Sequence, residues 1–152
     1  MTTETNDSNQ PTIRLASIGD AGCIAVLCQQ LGYPASQGQV QQRLCQIQQD
    51  KDHAVFVAEQ SDGYVVGWVH VYIRQLVVTD LHAEIGGLVV DETCRRCGIG
   101  RLLMQYAEEW ACGQGCWAVH LRSNVVRKGA HAFYEKIGYN VIKTQVAFRN
   151  VL

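Results

Sequence analysis

The sequence predicts a single α/β domain, and three observations carry that prediction. Its 152 residues match the usual size of one domain and suffice to bury one core. Stretches with period-two alternation interleave along the chain with stretches whose apolar residues recur at helical spacing. Between a valine-rich strand and the strongest amphipathic helix lies a charged, glycine-containing segment, Asp91 to Gly100.

The elements follow in order. Thr2 to Pro11 is rich in Thr, Asn, Ser and Gln and carries no apolar side chain until the proline, so residues 1–11 read as a disordered tail and 12–152 as the domain. Ile13 to Ala16 is a short strand candidate. Ser17 and Asp20 form a capping box for a helix bearing Ile24, Leu27 and Leu31, which Gly32 and Pro34 end. Ser36 and Gln39 open a second helix in the same way, with Val40, Leu44 and Ile47 as its buried stripe. Strands over Ala54–Glu59 and Tyr64–Arg74 are joined by Ser61-Asp62-Gly63, a turn sequence. In the second strand Val69, Val71 and Ile73 share one face, suited to a core, while Trp68, His70 and Tyr72 share the other. A strand from His82 to Val90 leads into the glycine-containing segment. The long helix beyond it carries Ile99, Leu102, Leu103, Tyr106 and Trp110 and stops at Gly113. Trp117–Leu121 reads as a strand, Arg127–Ile137 as a helix closed by Gly138, and the end as one or two final strands.

Bulk composition narrows the function classes. With 13 basic and 14 acidic side chains the chain has no field to draw it to nucleic acid or a membrane surface, so neither is an expected partner. No apolar run approaches the roughly 20 residues of a membrane span, and the start lacks a signal peptide's pattern, which predicts a cytoplasmic protein. The seven cysteines therefore read as free thiols. Cys94 with Cys97 and Cys112 with Cys116 imitate a four-thiolate zinc site, but the helix between them, rising about 1.5 Å per residue, would hold the pairs roughly 20 Å apart. No metal is expected.

Arg95-Arg96-Cys97-Gly98-Ile99-Gly100-Arg101 carries the chemistry. The first turn of a helix offers amides without internal partners and the positive end of the helix dipole, so a loop opening into it can hold a phosphate. Gly98 and Gly100 let the backbone curl closely, and Arg95, Arg96 and Arg101 add charge. Read without context, the same stretch is a solvated basic turn. A dinucleotide fingerprint fails because Leu103 stands where its third glycine belongs, and no G-K-S or G-K-T triplet completes a P-loop.

The pattern Arg95-x-x-Gly98-x-Gly100 after a valine-rich strand resembles the acetyl-CoA-binding motif of the GNAT N-acetyltransferases. A second block at the expected distance, Ala130-His131-Ala132-Phe133-Tyr134 followed by Gly138-Tyr139, is similar to another segment of that family. The arrangement Arg127-x-x-Ala130-His131-x-Phe133-Tyr134 resembles small bacterial single-domain members acting on small amines. The resemblance implies the family's α/β fold, with a central mixed, mostly antiparallel sheet of six or seven strands flanked by about four helices. It implies acetyl-CoA as co-substrate, with the backbone of Leu88, Val89 and Val90 pairing with the pantetheine arm like an added strand. The amides of Arg96, Cys97, Gly98, Ile99, Gly100 and Arg101 would take the diphosphate, and an amide near Val89 would face the thioester carbonyl. Two departures stand out: many relatives have glycine where Arg96 stands, and asparagine where Arg127 stands, which leaves Asn124 as the nearby substitute for a coenzyme contact.

Transfer to an amine poses two proton problems. An alkyl ammonium with a pKa near 10 is free amine only about one part in a thousand at neutral pH, so a base is needed. Glu84, within Ala83-Glu84-Ile85, is similar to the segment holding the catalytic glutamate in histone-acetylating members, with His82 and His70 as fallback bases. Tyr134 occupies the family position whose phenol points at the coenzyme sulfur, which implies a general acid. Trp68, His70, Tyr72, Tyr33 and Glu84 would line a pocket for a small cation, or the aromatic residues would be core or homodimer contacts. The expected function is acetyl transfer to a primary amine of a small molecule by direct attack in a ternary complex. Its alternatives are a non-catalytic acyl-CoA-binding domain, an enzyme acting on a protein or peptide amine, and a cysteine-based redox or metal module.

Overall fold

A computed structural model describes residues 10–152. Most of the expected 1–11 tail therefore lies outside the described residues. The chain divides into two compact units, Met1–Leu121 and Arg122–Leu152.

The first unit holds a five-stranded sheet in the order β1 to β5: β1 Thr12–Leu15, β2 His53–Glu59, β3 Val65–Leu76, β4 Thr79–Val90 and β5 Val119–Leu121. Neighbours are antiparallel except β4 and β5, which run parallel as the connection through a helix requires. The sheet is mixed and mostly antiparallel as expected, with five strands rather than six or seven. The missing ones are the final strands: Asn140 to Leu152 forms no strand and lies exposed. Alternation in sequence marks a segment able to join a ladder, but a strand exists only where a partner supplies the hydrogen bonds.

Three helices belong to this unit: α1 Ala21–Leu31, α2 Gln37–Gln48 and α3 Ile99–Gly113. The box at Ser36 forms as read, with Gln39 N–H donating to Ser36 Oγ at 3.1 Å and Ser36 N–H to Gln39 Oε1 at 3.0 Å. At Ser17 the cap precedes one 3-10 turn, Ile18–Asp20, rather than α1 itself. Asp20 holds that turn while also entering an ion pair: it accepts from Ser17 N–H at 2.8 Å, and Arg14 donates two hydrogen bonds to its carboxylate at 2.8 and 2.9 Å and a third to Glu59 at 2.7 Å. Those bonds hold the buried Asp20 carboxyl below the ordinary carboxylate range, against the opposing effect of burial.

Leu27, Val40 and Leu44 of α1 and α2 form one core cluster with Val55, Val57, Trp68 and Val89 of the sheet. Alternation sends Gly67 the other way, where a Cβ would meet Leu103 of α3 at 3.2 Å, so α3 covers the opposite face. The buried stripe of α3 is Ile99, Leu103, Met104, Ala107 and Ala111. This corrects the sequence reading: Tyr106 is exposed, edge-on to Phe56, and Leu102 and Trp110 are only half-buried. The alanines let the helix approach the sheet closely, and the bulkier side chains fall to its margins.

The second unit holds α4, Lys128–Lys136. Gly138, at φ +104°, ends it, and Tyr139 N–H returns to Tyr134 O at 2.9 Å.

Candidate functional site

The site is built where β4 stops being an ordinary sheet strand. Along β3 the register runs Tyr72 to Glu84 and Val71 to Ile85, then jumps so that His70 faces Gly87. Gly86 is the extra residue of a β-bulge. On its other side β4 pairs with β5 only at Ala83, Glu84 and Ile85. Among the described residues no strand lies beside that edge from Gly86 to Val90, so Leu88 and Val90 turn backbone groups to an open edge, while Val89, paired with Trp68, turns its own toward β3.

The two glycines are required by what lies over them. A Cβ at Gly87 would sit 2.6 Å from the Trp68 ring, and one at Gly86 would sit 2.8 Å from His70 Nδ1. Sequence reasoning missed this pair, although Gly-Gly inside a strand pattern is the ordinary signal of a bulge or a close approach. The Trp68 indole is 9% exposed and a member of the core cluster. Its Nε1–H is buried with no hydrogen-bond partner among the described residues, an uncommon state for a buried donor.

Trp68, His70, Tyr72 and Glu84 do share one face, as expected. Glu84 is buried at 6% exposure. Tyr72 donates its phenol proton to Glu84 Oε2, and Arg74 Nη1 donates to both oxygens at 3.2 and 3.3 Å. A buried carboxylate needs such partners, and Arg74 was not anticipated from the sequence. His53 of β2 was also missed; its Nδ1 lies 2.9 Å from His70 Nε2. Burial, and secondarily the neighbouring His53, push the His70 pKa down to about 4. The other fallback base, His82, is 2% exposed and packs against His120, with ring centroids 4.2 Å apart and planes tilted by 32°. Tyr33, just past the end of α1, is 74% exposed.

Beyond β4 the chain enters the glycine-containing loop. Asp91 fixes its start: its N–H donates to Val66 O at 2.7 Å, and its carboxylate accepts from Thr93 N–H and Oγ1 at 2.9 and 2.7 Å. Arg95 turns back and donates from Nε to Val90 O at 3.2 Å. Arg96 and Gly98 both take positive φ, +66° and +80°, which curls the backbone around its own amides. Arg96 holds the left-handed conformation without the freedom of glycine. Gly98 is the N-cap of α3 and brings no side chain to accept from the first turn. The first helical bond is Leu102 N–H to Gly98 O at 3.0 Å, so the amides of Ile99, Gly100 and Arg101 have no intrahelical acceptor. Cys97, Gly98, Ile99 and Arg101 line an open hollow there with Gln10 and Pro11. These residues fit a diphosphate: the first-turn amides are free of intrahelical acceptors, three arginines (Arg95, Arg96 and Arg101) lie exposed in the same segment, and a Cβ at Gly98 would meet nothing within 4 Å.

Asn124 and Tyr134 lie in the second unit. Asn124 shapes the approach to α4, its Oδ1 accepting from Val126 N–H at 3.1 Å and its carbonyl from Arg127 N–H and His131 Nε2 at 3.0 and 2.9 Å. Tyr134 is half-buried between Phe133 and Tyr139, with centroids at 5.2 and 6.0 Å. Burial raises its phenol pKa, with Arg127 opposing, which keeps it protonated at neutral pH.

All seven cysteines are free thiols. Among the described residues no group of three or more His, Cys, Asp or Glu is placed to hold a metal ion, and no helix is long and apolar enough to cross a membrane.

Comparison with known proteins gives this geometry its context. The aminoglycoside N(6')-acetyltransferase type 1 of Stenotrophomonas maltophilia is 30% identical over 146 residues, spanning 93% of this chain and 94% of its own. Two solved structures share the fold. The aminoglycoside 6'-N-acetyltransferase AAC(6')-Ig of Acinetobacter haemolyticus has a TM-score of 0.81 at 22% identity, over 93% of this chain and 99% of its own. The aminoglycoside N-acetyltransferase AAC(6')-Iy in complex with CoA has a TM-score of 0.84 at 16% identity, over 99% of each chain. The model of the acetyltransferase (GNAT) family matches residues 24–139, most of the chain and both glycine-bearing motifs, and the protein belongs to that family.

Proposed function

We propose that the protein transfers an acetyl group from acetyl-CoA to a primary amine of a small molecule, by direct attack with both substrates bound. The observation that carries this reading is the pairing of a donor-rich helix start at Gly98 with the strand edge left open from Gly86 to Val90. The first suits a diphosphate and the second an extended amide-bearing arm. A coenzyme having both parts, in that order, matches the run of chain between them. When bound, acetyl-CoA supplies an activated thioester.

The remaining chemistry falls to side chains. Glu84, held by Tyr72 and Arg74, is the proposed general base, a buried carboxyl that would hold the incoming ammonium and accept its proton. Tyr134 is the proposed donor to the departing sulfur, and its raised pKa suits a group that must arrive protonated. Small-molecule amines are favoured over protein amines because the full-length relative is an aminoglycoside acetyltransferase. The same likeness makes an aminoglycoside amine the first acceptor to test.

The test is release of free thiol from acetyl-CoA in the presence of aminoglycosides with and without a 6'-amine, polyamines, aminophosphonates, amino acids and basic peptides. Amine-dependent thiol release with mass gain of one acetyl group on the acceptor is the expected result. Absence of coenzyme A binding by calorimetry would remove the reading altogether.

A further inference from the structure

A proton taken from the amine must reach solvent, and the carboxylate that attracts the amine is poorly placed to deliver it. Glu84 is buried, and both its oxygens accept hydrogen bonds from Tyr72 and Arg74. A second set of titratable groups lies on the same face and leads outward. His70 turns Nδ1 to the bulge, where a Cβ on the exposed Gly86 would touch it at 2.8 Å. Its Nε2 lies 2.9 Å from His53 Nδ1, and His53 Nε2 lies 3.7 Å from Asp50 Oδ2. Exposure rises in the same direction, to 27% for the His53 side chain and 53% for Asp50.

We propose that His70, His53 and Asp50 form a proton exit from the floor of the site to solvent. The inference rests on the amine-acetylating reading above. In the tautomer it requires, His70 carries its proton on Nε2 and donates it to His53 Nδ1, which leaves His70 Nδ1 as an acceptor facing the bulge. As the amine attacks, its N–H bond breaks and the proton goes to His70 Nδ1. The Nε2–H bond of His70 breaks in turn as that proton passes to His53 Nδ1. His53 releases its own Nε2 proton to water beside Asp50. One proton leaves the amine, one reaches solvent, and a tautomer change in both rings restores the start.

Each neighbour fits the assignment. Tyr72 stacks on His53 at 5.2 Å and 12° between planes and holds that ring in register. Arg74 lies toward Glu84 and pairs with it at 3.2 Å. The low affinity of half-buried His70 for a proton keeps Nδ1 available at neutral pH and makes its protonation transient.

The first test needs no substrate: nitrogen NMR of histidine-labelled protein at pH 7 reads the tautomer of each ring. His70 protonated at Nε2 is expected, and His70 protonated at Nδ1 overturns the proposal. The second uses whichever amine the thiol-release screen returns. His53→Ala removes the relay and the hydrogen bond together, whereas in His53→Asn the amide oxygen replaces Nδ1 as acceptor but cannot pass a proton on. Both variants should lose turnover by about 100-fold, the low end for one proton-transfer group, and imidazole should restore His53→Ala. Coenzyme affinity should stay unchanged. Wild-type turnover in His53→Asn reduces His53 to a positioning residue and refutes the exit. A wild-type protein that binds coenzyme A yet acetylates no amine refutes the parent reading instead, and the relay with it.

Discussion

Gly87→Ala is the sharpest test of how the site is made. An added Cβ would lie 2.6 Å from Trp68 Cη2 and 2.8 Å from Cζ3, about 1 Å inside ordinary carbon contact. The indole cannot retreat, because it is 9% exposed and packed in the cluster that includes Leu27, Val57 and Val89. Nor can the glycine backbone shift freely, since it is registered to His70 across the ladder. Overpacking of this kind costs about 1–3 kcal/mol, and for a chain of this length each kcal/mol lowers the melting temperature by roughly 2–4 °C. We expect a loss near 2 kcal/mol, hence a fall of about 4–8 °C by calorimetry, with a matching fall in the urea midpoint at unchanged slope. Trp68→Leu in the Gly87→Ala background should recover part of it, because the obstructing ring is gone. A Gly87→Ala protein as stable as wild type would show that the ring does not rest on the bulge.

Gly98→Ala separates conformation from sterics, since a methyl there meets nothing within 4 Å but φ is +80°; we expect about 1 kcal/mol of lost stability and a weaker coenzyme A dissociation constant by calorimetry. Tyr134→Phe should leave folding and coenzyme binding intact while lowering turnover roughly 10- to 1000-fold, within reach of one acid–base group; equal turnover removes the phenol from the chemistry. The Asp20 carboxyl is held below its unfolded value by Arg14, so its contribution to stability is present above about pH 4 and is lost as pH falls through the lower folded value. Urea titrations from pH 6 to 2 should show Asp20→Asn less stable than wild type at pH 6, with the gap closing in acid.

Much of this arrangement was legible in the sequence because its causes are local. Capping at Ser36, the stop at Gly32 and the curl at Gly98 depend on residues within a turn of each other, and all three appear where expected. The face shared by Trp68, His70 and Tyr72 follows from period two alone. What escaped notice is long-range. Arg74 and His53 acquire meaning only when β3 lies against β4 and β2, pairings that bring residues 10 and 17 positions apart into contact. The stripe of α3 was misplaced because large apolar residues outweighed Ala107 and Ala111 in the reading, whereas close packing favours the small ones. The one or two final strands expected at the end of the chain do not form, because local sequence says nothing about whether a ladder partner is at hand.

The parting of β5 from β4 after three residue pairs has a consequence for how the sheet breathes. Amide hydrogens that point outward between Gly86 and Val90 have no strand partner among the described residues, so they should exchange with solvent faster than those turned toward β3 in the same strand. A molecule that pairs with them should slow them, which makes deuterium uptake at these outward amides a gauge of occupancy that requires no knowledge of the acceptor.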